Sequence, residues 1–116
     1  MKNDLTKYGF IKDENNHQLM EMFCDNKTLK EVYIDVYSSS PLNIPHPSLL
    51  LRHNEKKAHV SNDNKNLIIK KNDKSNTYIM NISLDNIEEV YFQQSIGFSD
   101  FVVNYQNIYY KITIFN

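Results

Sequence analysis

Four residues near the middle of the chain, His46, Arg52, His53 and Lys57, have the side-chain types used in metal-independent RNA cleavage. In that chemistry one imidazole takes the proton from the nucleophile and a second supplies one to the leaving group, with a lysine or arginine beside them. A chain with four histidines and thirteen basic residues offers such a set by chance, so the grouping is weak ground for a nuclease. His46, His53 and His59 are separated by seven and six positions, which fits neither an i, i+4 pair on a helix nor the common zinc spacings. No metal site is expected from them, nor from His17. Cys24 is the only cysteine, which excludes an intramolecular disulfide and a cysteine-rich metal site. It alternates with Met22 and Met20 and so reads as a buried, inert thiol rather than a nucleophile. The two glycines, Gly9 and Gly97, cannot build a phosphate loop. No cofactor motif and no catalytic constellation emerge, and the chain is not expected to be an enzyme.

Binding chemistry is better represented. In "EVYIDVY", Val32, Ile34 and Val36 alternate with Glu31, Tyr33, Asp35 and Tyr37, the pattern of a half-buried strand whose solvent face is an acidic and aromatic stripe. Tyrosines give large contact area at low entropic cost and carboxylates suit a basic partner, so this stripe is the first candidate for a protein interface. Glu88, Glu89 and Asp100 would add to it if the fold brings them near, and Tyr109 lies on the mixed face of the closing hairpin. The plainer reading is a solvated strand face with incidental tyrosines.

Strands are what must position these residues. "DFVVNYQNIYYKITIFN" reads as a hairpin turning at Gln106 and Asn107, with Tyr105 facing Ile108, Val103 facing Tyr110 and Phe101 facing Ile112 on an apolar side. The other side pairs Asn104 with Tyr109, Val102 with Lys111 and Asp100 with Thr113. "NLIIKKNDKSNTYIMNIS" reads as a second hairpin, with Ile69 facing Tyr78 and Leu67 facing Met80 across a four-residue loop at Asn72 to Ser75. "LLLRH" makes a short strand, and a further one is expected around Ala58 to Ser61. Met20, Met22 and Cys24 favour a strand over a helix at 18–24. Leu84 to Asn86 is a short turn leading into a strand. "NDLTKYGF" can form one helical turn, and "SSSPLNIPHPS" holds all three prolines and must be irregular. The fold class is mainly β, a single antiparallel barrel or sandwich of six to eight strands with one or two short helices.

At 116 residues one domain spanning 1–116 is expected. With a formal net charge of −1 there is no whole-molecule field for nucleic acid or anionic membrane, and neither is an expected partner. No apolar leader or spanning run is present, so the expected location is cytoplasmic. The skew toward Asn, Lys, Ile and Tyr is what an A+T-rich coding sequence produces, so position matters more than totals. "ISLDNIEEVYF" followed by a terminal hairpin resembles the bacterial pleckstrin-homology-like domains over the last third of the chain. That resemblance implies a barrel capped by a C-terminal helix and, as one alternative, a small RNA- or lipid-binding module. In size and character the chain resembles stand-alone bacterial immunity proteins and, more distantly, small phage inhibitors. This second resemblance implies stoichiometric inhibition of one partner, a basic toxin domain such as a nuclease, with carboxylates standing where phosphates would lie.

Overall fold

In the structure, a computed structural model, the described residues are 9–24, 27–38, 49–63, 65–72, 75 and 77–115. The proline-rich connection with His46, the helical turn expected over residues 3–8, and Asp25 and Asn26 lie outside them. Strand is the dominant state because β-branched and aromatic residues alternate with polar ones through most of the chain. The strands are β1 (Ile11–Lys12), β2 (Lys27–Thr28), β3 (Glu31–Tyr37), β4 (Leu49–Lys56), β5 (His59–Asp63), β6 (Asn66–Lys70), β7 (Tyr78–Ser83), β8 (Ile87–Ser95), β9 (Phe98–Tyr105) and β10 (Ile108–Phe115). They form a six-stranded sheet ordered β1-β8-β9-β10-β3-β4 and a four-stranded sheet ordered β2-β5-β6-β7. Every pairing is antiparallel. The architecture is therefore the expected mainly-β one, in its sandwich-like form rather than as a closed barrel.

Two crossings tie the sheets together. At the first, the Leu29 N–H donates to the Ala58 carbonyl at 2.7 Å and the Lys57 N–H to the Lys30 carbonyl at 2.9 Å. There β2 runs on into β3 and β4 into β5, so each chain segment serves both sheets. Lys57 takes a left-handed φ of 57° to make the bend. At the second, a single 3-10 turn at Leu84–Asn86 carries β7 into β8, as expected. The N–H of Ser83 at that corner donates to the Tyr105 phenol oxygen at 3.2 Å, linking the sheets through a side chain.

The core lies between the sheets. Val32, Ile34, Val36, Val90, Phe101, Val103, Ile112 and Ile114 come from the larger sheet, and Val60, Leu67, Ile69, Met80 and Ile82 from the smaller. The closing hairpin has the register that its alternation demands, including Tyr105↔Ile108, Phe101↔Ile112 and Asp100↔Thr113. Its turn puts Gln106 at φ 50° and Asn107 at φ 68°, the two left-handed residues of a type I′ connection. Tyr105 and Tyr110 pack on the core edge to face, with ring centroids 5.9 Å apart and planes at 88°.

Three expectations are corrected. The segment expected as a strand at 18–24 is instead helix α1 (His17–Phe23), with Leu19 and Phe23 fully buried one turn apart. Its cap comes from upstream: the Asp13 carboxylate accepts the N–H groups of Gln18 at 2.8 Å and Leu19 at 2.9 Å. With the segment helical, Cys24 no longer alternates inward; it is exposed, and its thiol donates to the Glu21 carbonyl at 3.1 Å. The third correction concerns the β6–β7 register. Ile69 pairs with Met80 and Leu67 with Ile82, a slip of two from the expected pairing, with a bulge that sets Lys70 against Tyr78. A slip of two keeps every side chain on its expected face, so the core is unaffected by the longer loop.

Candidate functional site

The antiparallel registers place the solvent side of the six-stranded sheet in four rows. The first runs Ser95, Phe98, Phe115, Glu31, Lys56, and the second Gln93, Asp100, Thr113, Tyr33, Asn54. The third runs Lys12, Tyr91, Val102, Lys111, Asp35, Arg52, and the fourth Glu89, Asn104, Tyr109, Tyr37, Leu49. Glu31, Tyr33, Asp35, Tyr37, Asp100, Glu89 and Tyr109 thus share one face, as their alternation requires. They do not form one site. Six residues of strand separate the first and fourth rows, roughly 20 Å at ~3.3 Å per residue.

The third and fourth rows are covered at their centre, while Lys12, Arg52 and Leu49 at their ends stay exposed. Phe10 folds over Val102 and both are buried, with Tyr91 and Tyr109 packed around them. Gly9 makes this possible: it sits at φ +86°, and a Cβ there would stand 2.5 Å from the Gln93 side chain. Asp35 is held by its neighbours. The Arg52 Nε donates to its Oδ1 at 3.1 Å and the Tyr37 hydroxyl to its Oδ2 at 3.4 Å. Lys111 is its cross-strand neighbour. Tyr37 is buried, folded over this ion pair where a register shift between Val36 and Tyr37 distorts the sheet end. Burial, and then the Asp35 carboxylate, raise the Tyr37 phenol above its ordinary range, partly offset by Arg52. Tyr110 is raised too, first by burial and then by Tyr105. Glu88 is an exposed bulge residue, since β8 pairs Ile87 with Tyr105 and then Glu89 with Asn104.

A raised phenol pKa means that the folded chain holds the proton more tightly than the unfolded one. Stability from these groups is complete below pH 10 and declines as the pH climbs through the folded values. An absorbance titration of the eight tyrosines should show at least two ionising later than the rest, and Tyr37→Phe should remove one of them.

The first and second rows stay open, and aromatic side chains fill them. Tyr33 and Phe115 have ring centroids 5.5 Å apart, and Phe115 and Phe98 5.8 Å, giving a row of three rings across β3, β10 and β9. Tyr33 is 38% exposed. Next to Phe98, the β8–β9 turn carries Ile96, which is fully exposed, beside Gly97 at φ +88°. Two carboxylates border the row: Glu31, half-buried with Lys56 across from it, and Asp100, which accepts the Thr113 hydroxyl. Of the candidate residues, Glu31, Tyr33 and Asp100 gather here, while Asp35, Tyr37, Glu88, Glu89 and Tyr109 do not. Ile96, Phe98 and Phe115 were missed from sequence. The signal was present, because extending the mixed side of the closing hairpin by one pair in the same parity reaches both phenylalanines.

Of the residues that suggested RNA cleavage, the three that are described, Arg52, His53 and Lys57, do not converge. Arg52 faces outward against Asp35, whereas His53 faces inward opposite Ile34, with its Nε2 2.9 Å from Glu55 Oε2. Lys57 lies beyond the strand. Among the described residues no three of His, Cys, Asp and Glu are grouped as metal ligands would be. No helix among them is long and apolar enough to cross a membrane. Comparison of the chain with protein-family models, with curated proteins and with solved structures found no match to any of them.

Proposed function

We propose that the protein acts without catalysis, by stoichiometric binding of one protein partner, as an inhibitor of the immunity-protein kind. The observation that carries this reading is the aromatic row Tyr33–Phe115–Phe98 with Ile96 beside it, open on a sheet face whose other half is partly covered by Phe10 and occupied by the Asp35–Arg52 pair. Contiguous exposed aromatic and aliphatic groups rimmed by polar ones mark protein interfaces more often than scattered apolar residues do. Opposite charges alternate on this face: Glu31, Asp35, Glu89 and Asp100 against Lys12, Arg52, Lys56 and Lys111. The contact is therefore centred on rings, with Glu31 and Asp100 steering a basic partner at the rim.

The test is recovery of a partner in equimolar amount from the source organism, followed by titration with variants of exposed residues that leave the core untouched. Ile96→Asp with Tyr33→Ala should weaken binding by about 100-fold or more, the effect of two central contacts of ~1.4 kcal/mol each. Glu88→Ala should leave affinity unchanged. Equal losses at Glu88 and at Ile96 would move the interface away from the aromatic row.

A further inference from the structure

The larger sheet ends in β4 and the smaller in β7, and among the described residues no strand joins these two edges. A cleft of about 480 Å³ enters there, and its location is unrelated to the outer-face row. Its floor is the edge of the core: Ile34, Val36, Met80 and the ring of Tyr110. Leu51 and Tyr78 stand at its mouth, 56% and 53% exposed, so apolar surface runs from the core outward. Polar groups are confined to the walls. His53 is engaged by Glu55 at 2.9 Å. Lys71 sits at the base of the β6–β7 connection, where its backbone N–H donates to the Thr77 carbonyl at 2.9 Å. Among the described residues no carboxylate pairs with the Lys71 ammonium.

We propose that this cleft binds a small carboxylate-bearing molecule with an apolar chain, the chain lying on Ile34, Val36 and Met80 and the carboxylate meeting Lys71. The volume falls in the range of ordinary small-molecule sites, roughly 300–1,000 Å³, which are mostly apolar with a few placed polar groups. At the ~30 Å³ that a water molecule occupies in the liquid, it holds about sixteen heavy atoms, the size of a medium-chain acid. Lys71, the one lysine or arginine among the described lining residues, sets the sign of the head group, because an ammonium ligand would face it with like charge and a neutral one would not pair with it.

Dodecanoate is the probe, titrated calorimetrically into the full chain, with dodecanol and dodecyltrimethylammonium as partners of equal chain length. One dodecanoate should bind per chain, at least ten-fold more tightly than either comparator. Lys71→Met should remove that ten-fold preference, and Leu51→Glu, which alters only an exposed position at the mouth, should weaken dodecanoate by repulsion. Amide shifts on binding should centre on β3, β4 and β7. Lack of heat and of shifts at millimolar dodecanoate would overturn the proposal, as would equal binding of all three amphiphiles. Sedimentation showing a dimer in which Leu51 and Tyr78 are covered by a second copy would overturn it as well. Ile96→Asp should bind dodecanoate like the parent chain, so loss of partner binding and loss of ligand binding are separable.

Discussion

Phe101→Ala should cost about 3–5 kcal/mol, a large part of the ~5–15 kcal/mol that stabilises a domain of this kind. Phe101 is 1% exposed on β9, the strand flanked on both sides by long partners, β8 and β10. Its ring stacks on Phe92, with centroids 6.4 Å apart, and its register neighbour on the other side is Ile112. Truncation would leave a void that rigid strands on either side cannot fill, so the loss combines transfer and cavity contributions. Urea denaturation should show a lower midpoint at unchanged slope, and the melting temperature should fall by roughly 10–20 °C. Tyr33→Ala, two strands away on the open face, should change stability by no more than about 1 kcal/mol. If the two variants lost equal stability, the placement of the core on one side of this sheet would be wrong.

The second large effect is expected at Asp13. This carboxylate is 3% exposed and its two oxygens accept two different helix N–H groups, Gln18 and Leu19. Asn16, the residue at the ordinary capping position of α1, is in left-handed geometry and makes no side-chain cap. Asp13 is therefore the cap, and its own N–H donates to the Val90 carbonyl at 2.8 Å, which fixes it to β8. Asp13→Ala removes two charge-assisted bonds and strands two donors at the helix start, at a cost of about 2–4 kcal/mol. Asp13→Asn keeps one acceptor and turns an NH₂ toward a donor, so it should recover less than half of that loss. Circular dichroism should show the helical contribution falling before the sheet unfolds, because Leu19 and Phe23 lose their anchor. A helix that persists in Asp13→Ala would assign the capping to another group.

How far the sequence revealed these features depends on the range of the interactions that set them. The register of residues 100–115 was legible because alternation and a two-residue turn act within the same few positions and agree. The β6–β7 pairing was legible in its faces and not in its register, since a two-residue slip costs nothing in polarity and the turn length is undetermined by pattern. Helix α1 was the competing reading, passed over for a strand because "HQLMEMFC" offers Met20, Met22 and Cys24 at period two as well as Leu19, Met22 and Phe23 on one helical side. What decides between them is Asp13, four residues before the helix begins, together with the contacts that bury Leu19 and Phe23.

The candidate site shows the same division. Alternation correctly placed Glu31, Tyr33, Asp35 and Tyr37 on one face. It could not show that Arg52, brought alongside by β4, ties up Asp35, or that the sheet end buries Tyr37. Nor could it show that Phe10 packs over Val102 and so covers the part of the face nearest Tyr109. These are contacts between segments far apart in sequence, and charge or apolar pattern within one strand carries no record of them.

The most direct measurement of the partner-binding reading is site-specific photocrosslinking in the source organism, with a benzophenone amino acid replacing either Ile96 or Glu88. Both residues are exposed, one beside the aromatic row and one at the far end of the sheet. The open row as interface requires a single heavy adduct of one partner from Ile96, suppressed by Tyr33→Ala, and none from Glu88. Adducts from Glu88 alone, or none from either position while the chain is in its natural setting, would contradict it.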